Sequence, residues 1–227
     1  MRIQAKQLFV LGLLALGFSL PAHAGTLVGK AVVGGEYQLA SRRTMDADAL
    51  ILAQRSVVVS DKGGIANVAV SVENVPGSFE PREASPELDQ KEKTFVPHVL
   101  PVVRGHSVDF VNSDQILHNI HAYQGDTTLF NTAMPFQGQR LPFEIQEEAG
   151  ELEVVCDVHK HMRAWIVVRD NPFFAVSKET GLFSIEGVPA GTYTVRAWHE
   201  VFGELEQTVT ILEGDEKTPV LFKFPVS

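Results

Sequence analysis

A single cysteine stands in this chain of 227 residues, and the residues around it are of the types that bind soft metal ions. The stretch Cys156-Asp157-Val158-His159-Lys160-His161-Met162 sets a thiol, an imidazole and a thioether at C-x-x-H-x-x-M spacing. A second imidazole is available upstream in His118-Asn119-Ile120-His121. Thiolate and thioether suit Cu(I), whereas imidazole and thiolate suit Cu(II), so this donor set selects copper. Two histidines and a thiolate in a plane with a weak axial thioether form a site that changes little between the two oxidation states, and such a site passes single electrons. Taken alone, a lone cysteine is more often an inert buried thiol. His159 three residues on, Met162 beyond it and His118 from a separate segment favour the reading as a ligand.

The elements that must hold these donors read as β-strands. Period-two alternation recurs along the chain, with β-branched and aromatic residues on one face and turn residues between the runs, which predicts an all-β sandwich. Leu152, Val154 and Cys156 share one parity, opposite Glu151, Glu153 and Asp157, so the thiol is expected to point inward. Met162, Ala164, Ile166 and Val168 share a parity opposite Arg163 and Arg169, so Met162 also starts on an inward face. Earlier candidate strands cover residues 26–33, 66–72, 95–103 and 107–112, and Leu141, Phe143 and Ile145 alternate with polar neighbours and Pro142. Residues 44–54 predict a short helix. Residues 77–93, with Glu80, Glu83, Glu87 and Asp89, predict a solvated surface loop, and residues 113–139 read as mostly irregular.

From Asn171-Pro172 the pattern changes to a compact second unit, in which Pro189-Ala190-Gly191 marks a turn and Tyr193, Val195 and Ala197 share a strand face. The expected division is a signal peptide over 1–24, a metal-binding β-domain over 25–170 and a small β-domain over 171–227.

Met1-Arg2 and Lys6, the apolar run 8–20 and Pro21-Ala22-His23-Ala24-Gly25 have the n-region, h-region and Ala-x-Ala site of a signal peptide cleaved after Ala24. The expected location is the periplasm. The apolar run is shorter than the roughly 20 residues that span a bilayer, and no membrane span is expected after cleavage. Net charge is −9 with no basic stripe, which argues against a nucleic-acid partner. An exported chain with one cysteine forms no internal disulfide.

Phe95-Val-Pro-His-Val-Leu, Gly105-x-x-Val-Asp-Phe-Val-Asn112, Asp114, His118-Asn119, Phe130-Asn131 and Cys156-x-x-His159-x-x-Met162 resemble, in that order, the motifs of plastocyanin-like cupredoxins. The resemblance covers about residues 95–169, with residues 26–75 expected to supply earlier strands of the same Greek-key sandwich. It implies one mononuclear copper with His118, Cys156 and His159 as equatorial ligands and Met162 as the axial one, and Asn119 as a clamp on the ligand loop. It also implies a periplasmic one-electron carrier with a redox partner protein and no catalysis. Only Lys160 and His161 separate His159 from Met162, fewer than plastocyanin-like proteins usually place there. His121 or His161 therefore stays open as an alternative ligand, and with Cys156 either would suit a closed zinc site. The alternative function is metal storage, delivery or sensing without redox turnover. The pattern G-x-F-x-I-x-x-V-P-x-G-x-Y from Gly181 to Tyr193 resembles carboxypeptidase-regulatory-like, transthyretin-like β-domains, and the pairing resembles exported methylamine-utilisation-type proteins.

Overall fold

Strand-forming alternation becomes sheet throughout the computed structural model, which describes residues 24–35, 47–79, 84–146, 148–214 and 216–225. The proposed signal peptide lies outside the described residues except for Ala24, the exposed first residue of the first strand. The chain begins with β1 (Ala24–Val33), α1 (Ala47–Ser56) and β2 (Ala69–Val72). Its middle carries β3 (Glu87–Gln90), β4 (Phe95–Val96), β5 (Val99–Val103), β6 (Ser107–Asn112), β7 (His118–Gln124), β8 (Thr127–Met134), β9 (Gln139–Glu144), β10 (Gly150–Val155) and β11 (Arg163–Arg169). It ends with β12 (Phe174–Val176), β13 (Leu182–Pro189), β14 (Gly191–His199), β15 (Gly203–Ile211) and β16 (Lys217–Phe224). The described chain is all-β apart from α1, which realises the helix expected near residues 44–54.

The middle strands form two sheets, β5-β11-β10-β7-β8 and β4-β3-β6-β9, around one core. Leu88, Phe110, Ile120, Ile145, Leu152, Val154 and Ile166 fill that core, and each such side chain contributes about 1.5–3 kcal/mol by leaving water. Cys156 and Met162 belong to it, on the inward parity read from the sequence. Two expectations about loops do not hold. Residues 77–93 contain β3, whose Leu88 and Gln90 are fully buried while Glu87 and Asp89 alternate outward, and β3 runs parallel to β6. Four residues between Pro86 and Lys91 are too few to show a period, so charge dominated the sequence reading. Residues 113–139 contain the hairpin β7–β8, hidden in the sequence because polar His118, Asn119 and His121 occupy strand positions and a bulge falls at Ala122/Tyr123.

The largest correction concerns β1 and β2, which were expected to extend the middle sandwich. β1 is instead the centre of a sheet β13-β1-β16, and β2 lies in a sheet β12-β2-β14-β15. Leu27, Ala31, Val68 and Val70 share a second core with Phe183, Val195 and Phe222. Thus the C-terminal strands from residue 174 onward are built into sheets with β1 and β2, and the middle sandwich interrupts them in sequence. The parallel register Thr26↔Lys217 to Val33↔Phe224 joins the two ends of the described chain, a pairing that no local pattern encodes.

β11 is the seam between the two cores. Its inward residues serve the middle core, and its other face is covered as well: Val167 packs with Ala69 and Val99, and Trp165 meets Trp198 edge-on at 5.2 Å between centroids. Arg169, on the parity opposite the inward residues, is 2% exposed. Its guanidinium donates to Ser71 Oγ at 3.0 Å and to Glu151 at 3.1 Å, which satisfies a charge that burial would otherwise penalise. The Glu200 carboxylate accepts from Trp165 Nε1 at 2.9 Å and pairs with His98 Nε2, so a group just past β14 grips two residues of the middle sandwich.

Candidate metal centre

Three donors meet at one end of the middle sandwich. Cys156 follows β10 and is 1% exposed, His118 opens β7 and is fully buried, and His159 lies half-buried on the loop between β10 and β11. His118 Nδ1 stands 3.8 Å and His159 Nδ1 3.7 Å from Cys156 Sγ, and the two nitrogens are 3.1 Å apart. Among the described residues this is the one cluster of three or more His, Cys, Asp or Glu donors close enough to share an ion. A point in the plane of the three atoms lies about 2.1 Å from each, close to the roughly 2.0–2.3 Å of metal–nitrogen and metal–sulfur bonds.

Protonation at this site is held in the state that ligation needs. His118 Nε2 lies 2.9 Å from Asp114 Oδ2. Burial acts to raise the Asp114 pKa, but the backbone N–H groups of Lys93 and Glu92 and the His118 ring outweigh it and keep the carboxyl below its usual range. An ionised acceptor there puts the proton on Nε2 and leaves Nδ1 a bare lone pair aimed at the sulfur. Burial first, then the neighbouring His118, Lys93 and His161, lower the His159 pKa and favour its neutral ring. Two imidazole nitrogens and a sulfur within 4 Å of one another are a fit for a cation.

The loop from Cys156 to Met162 is closed by backbone bonds, Met162 N–H to His159 O at 2.9 Å and Cys156 N–H to Met162 O at 3.3 Å. Asn119 clamps its start with both ends of its amide: Oδ1 accepts the Asp157 N–H at 2.7 Å, and Nδ2 donates to Asp157 Oδ2 at 2.8 Å. Asn131 donates to the same oxygen at 2.8 Å, and Asn119 also donates to Asn131 Oδ1. Asp157 is partly desolvated, which raises its pKa, yet the bonds from His121, Asn131 and Asn119 bring the net value below normal. On the other side, Asn112 Oδ1 accepts the Asp114 N–H at 3.0 Å, and its Nδ2 donates to the carbonyls of Ile116 and Met134, shaping the approach to His118.

The four residues expected as ligands divide into three that converge and one that shares their core. Met162 is 1% exposed in the same apolar cluster as Cys156. The alternatives have other partners. His121 is three residues from His118 within one strand and so faces the opposite side; its ring bonds to Asp157, Thr128 and Tyr123. His161 Nε2 donates to the Lys93 carbonyl at 3.1 Å. Asp114, Asp157 and Asn131 are supporting groups that the sequence reading left without a role; the four-residue step from Asp114 to His118 was the available signal. His98 and His199 lie at the seam, where His199 Nδ1 accepts the N–H of Val201 and Phe202.

No family model matches the chain, and no curated protein matches it. Among solved structures it is similar to amicyanin from Paracoccus versutus, with 19% identity over 39% of this chain and 84% of that one at a TM-score of 0.35. It is similar to a purple cupredoxin from Nitrosopumilus maritimus, with 21% identity over 37% of this chain and 99% of that one at a TM-score of 0.33. It is also similar to a copper-containing nitrite reductase from Thermus scotoductus, with 24% identity over 45% of this chain and 26% of the reductase at a TM-score of 0.35.

Proposed function

We propose that this protein is a cupredoxin-like carrier of single electrons that holds one copper ion between His118, Cys156 and His159, with Met162 as the axial ligand. The observation that carries the reading is the triangle of donors, 3.8, 3.7 and 3.1 Å on its sides, already assembled on the first residue of β7 and a braced loop. Copper bound there would supply a one-electron couple. The chain's own contribution is to hold the donors still and dry: Asp114 orients His118, the Asn119–Asp157 bonds hold the loop, and the core around Cys156 excludes water. Donors fixed in this way need little rearrangement when charge changes.

The proposal includes export, with cleavage after Ala24, and work in the periplasm. It places the docking of a redox partner at Leu117 and Val158, the exposed apolar residues directly before His118 and His159, together with exposed Ile116 and with exposed Phe136, two residues past Met134, the β8 partner of His118. The second core, whose C-terminal strands carry the carboxypeptidase-regulatory-like pattern, is proposed as a structural module and not a peptidase.

Copper-loaded protein is expected to show an intense thiolate-to-copper visible band that bleaches on reduction and is absent from Cys156→Ser. A colourless protein at full copper occupancy would overturn the reading. Electrochemistry separates it from metal handling: a reversible one-electron wave supports the carrier, while metal transfer to an acceptor chelator without such a wave supports storage or delivery.

A further inference from the structure

The β3–β4 hairpin turn makes its hydrogen bonds to the candidate centre through backbone atoms. Lys91 and Thr94 exchange two N–H···O bonds of 2.8 and 3.1 Å, which leaves Glu92 and Lys93 as a two-residue turn. Both have φ of +53°, the left-handed conformation that such a turn requires at its two central positions. Neither is glycine. In this conformation the consecutive N–H groups converge, and they do so on one carboxylate: Glu92 N–H donates to Asp114 Oδ1 at 2.7 Å and Lys93 N–H to Asp114 Oδ2 at 2.9 Å. That carboxylate holds the Nε2 of His118. The Lys93 carbonyl, on the opposite side of the same residue, accepts from His161 Nε2.

The geometry points to the Glu92–Lys93 turn as a positioning element of the metal centre, one that fixes the tautomer of His118 through Asp114 and holds His161 away from the ligand set. The inference deepens the copper reading, but its first readout needs no metal. A carboxylate has four lone-pair directions, and two oriented N–H donors restrict where its remaining lone pairs point. With the turn in place, Oδ2 faces His118 and the proton belongs on Nε2. With the turn displaced, Asp114 rotates freely and His118 loses the partner that keeps Nδ1 bare. The side chains of Glu92 and Lys93 are exposed and take no part in these bonds, so the effect belongs to the backbone conformation.

The test uses the full chain labelled with 15N-histidine. In the metal-free parent, His118 is expected as a pure Nε2–H tautomer, and the Asn-Gly replacement of Glu92-Lys93, which keeps the turn, is expected to leave it so. One glycine inserted between Glu92 and Lys93 is expected to give a tautomer mixture for His118 and a shifted His161 signal. Should the insertion variant fail to fold, Asp114→Asn carries the test: its amide has one acceptor oxygen where the carboxylate has two, so it cannot serve the Glu92 N–H at one end and the Lys93 N–H and His118 Nε2 at the other, and a changed His118 tautomer is expected. An unchanged His118 spectrum in the folded variant overturns the inference. Copper titration is the second readout: the variant is expected to bind about 10–100-fold more weakly than the parent. A parent that binds no copper defeats the copper reading while the tautomer result stands, so the two failures are distinguishable.

Discussion

Asn119 satisfies the Asp157 N–H and carboxylate together, and so it holds the first peptide of the ligand loop to β7. Asn119→Ala strips a partner from both groups; the Asp157 carboxylate is partly open to water and keeps Asn131, so the cost is about 0.5–1.5 kcal/mol. The expected result is a lower denaturation midpoint and faster copper loss, measured by urea unfolding and chelator competition; unaltered values would mean that the loop holds itself. Met162 separates packing from ligation. Met162→Leu preserves volume and costs less than about 1.5 kcal/mol, whereas Met162→Ala empties part of the core and costs about 2–5 kcal/mol. Both are expected to move the reduction potential by removing the thioether. A potential unchanged in the leucine variant would remove Met162 from the ligand set. These residues were legible in the sequence because type and spacing announced them: sulfur, imidazole and parity all lie within a few positions. The role of Asp114 was not, since its partners come from a turn some twenty positions upstream.

β3 is a strand that charge disguised, and the disguise gives a clean test. Leu88 sits at the centre of the middle core, so Leu88→Ala is expected to cost about 2–5 kcal/mol in equilibrium unfolding. A solvated-loop leucine would cost under about 0.5 kcal/mol, and a value that small would argue against β3. The turn that follows pairs two non-glycine residues with positive φ. Lys93→Gly relieves the steric part of that cost and loses some of the gain to unfolded-chain entropy, so a net stabilisation of about 0.5–1 kcal/mol is expected. The strands easiest to read were β6, β10 and β11, where several apolar residues alternate. β7 was missed because its inward histidine and its two asparagine and histidine neighbours serve the site first and the sheet second.

At the scale of the whole molecule, the two cores share one seam, and its chemistry sets an acid limit on stability. Burial pushes the His199 pKa from 6.5 down to about 4, aided by His98 and opposed by Glu200 and Ser56. The unfolded chain therefore binds this proton first as pH falls. The contribution of neutral His199 is complete above about pH 6.5, is lost between there and about pH 4, and amounts to about 3 kcal/mol. Desolvation alone would raise the Glu200 pKa, but His98, Trp165 and Ser56 hold it below the glutamate norm, so its contribution is present above the ordinary value and disappears at still lower pH. Urea unfolding across pH 4–7 is expected to show stability rising with pH, with a flatter profile for His199→Asn, whose amide oxygen can still accept the Val201 and Phe202 N–H groups. A chain ending at residue 170 removes the sheet partners of β1 and β2 and uncovers Val99 and Trp165. It is expected to lose a cooperative melt and to aggregate, as followed by circular dichroism and light scattering; a sharp native-like melt would restore the linear division into domains.

The amino-acid sequence alone determined the kind of chemistry and the faces of the strands that bear it. Donor type follows from composition, and inward parity follows from a two-residue period, so Cys156 and Met162 could be placed in the core without coordinates. What only the tertiary structure decided was which strands are neighbours. Hydrogen bonding between strands is indifferent to sequence separation, and the free energy that joins β1 to β16 comes from burying faces brought together by the whole fold. The same holds for the support of the centre: the Glu92–Lys93 turn meets Asp114, and Glu200 meets Trp165, because sheets pack, and no short-range pattern records a meeting of that kind.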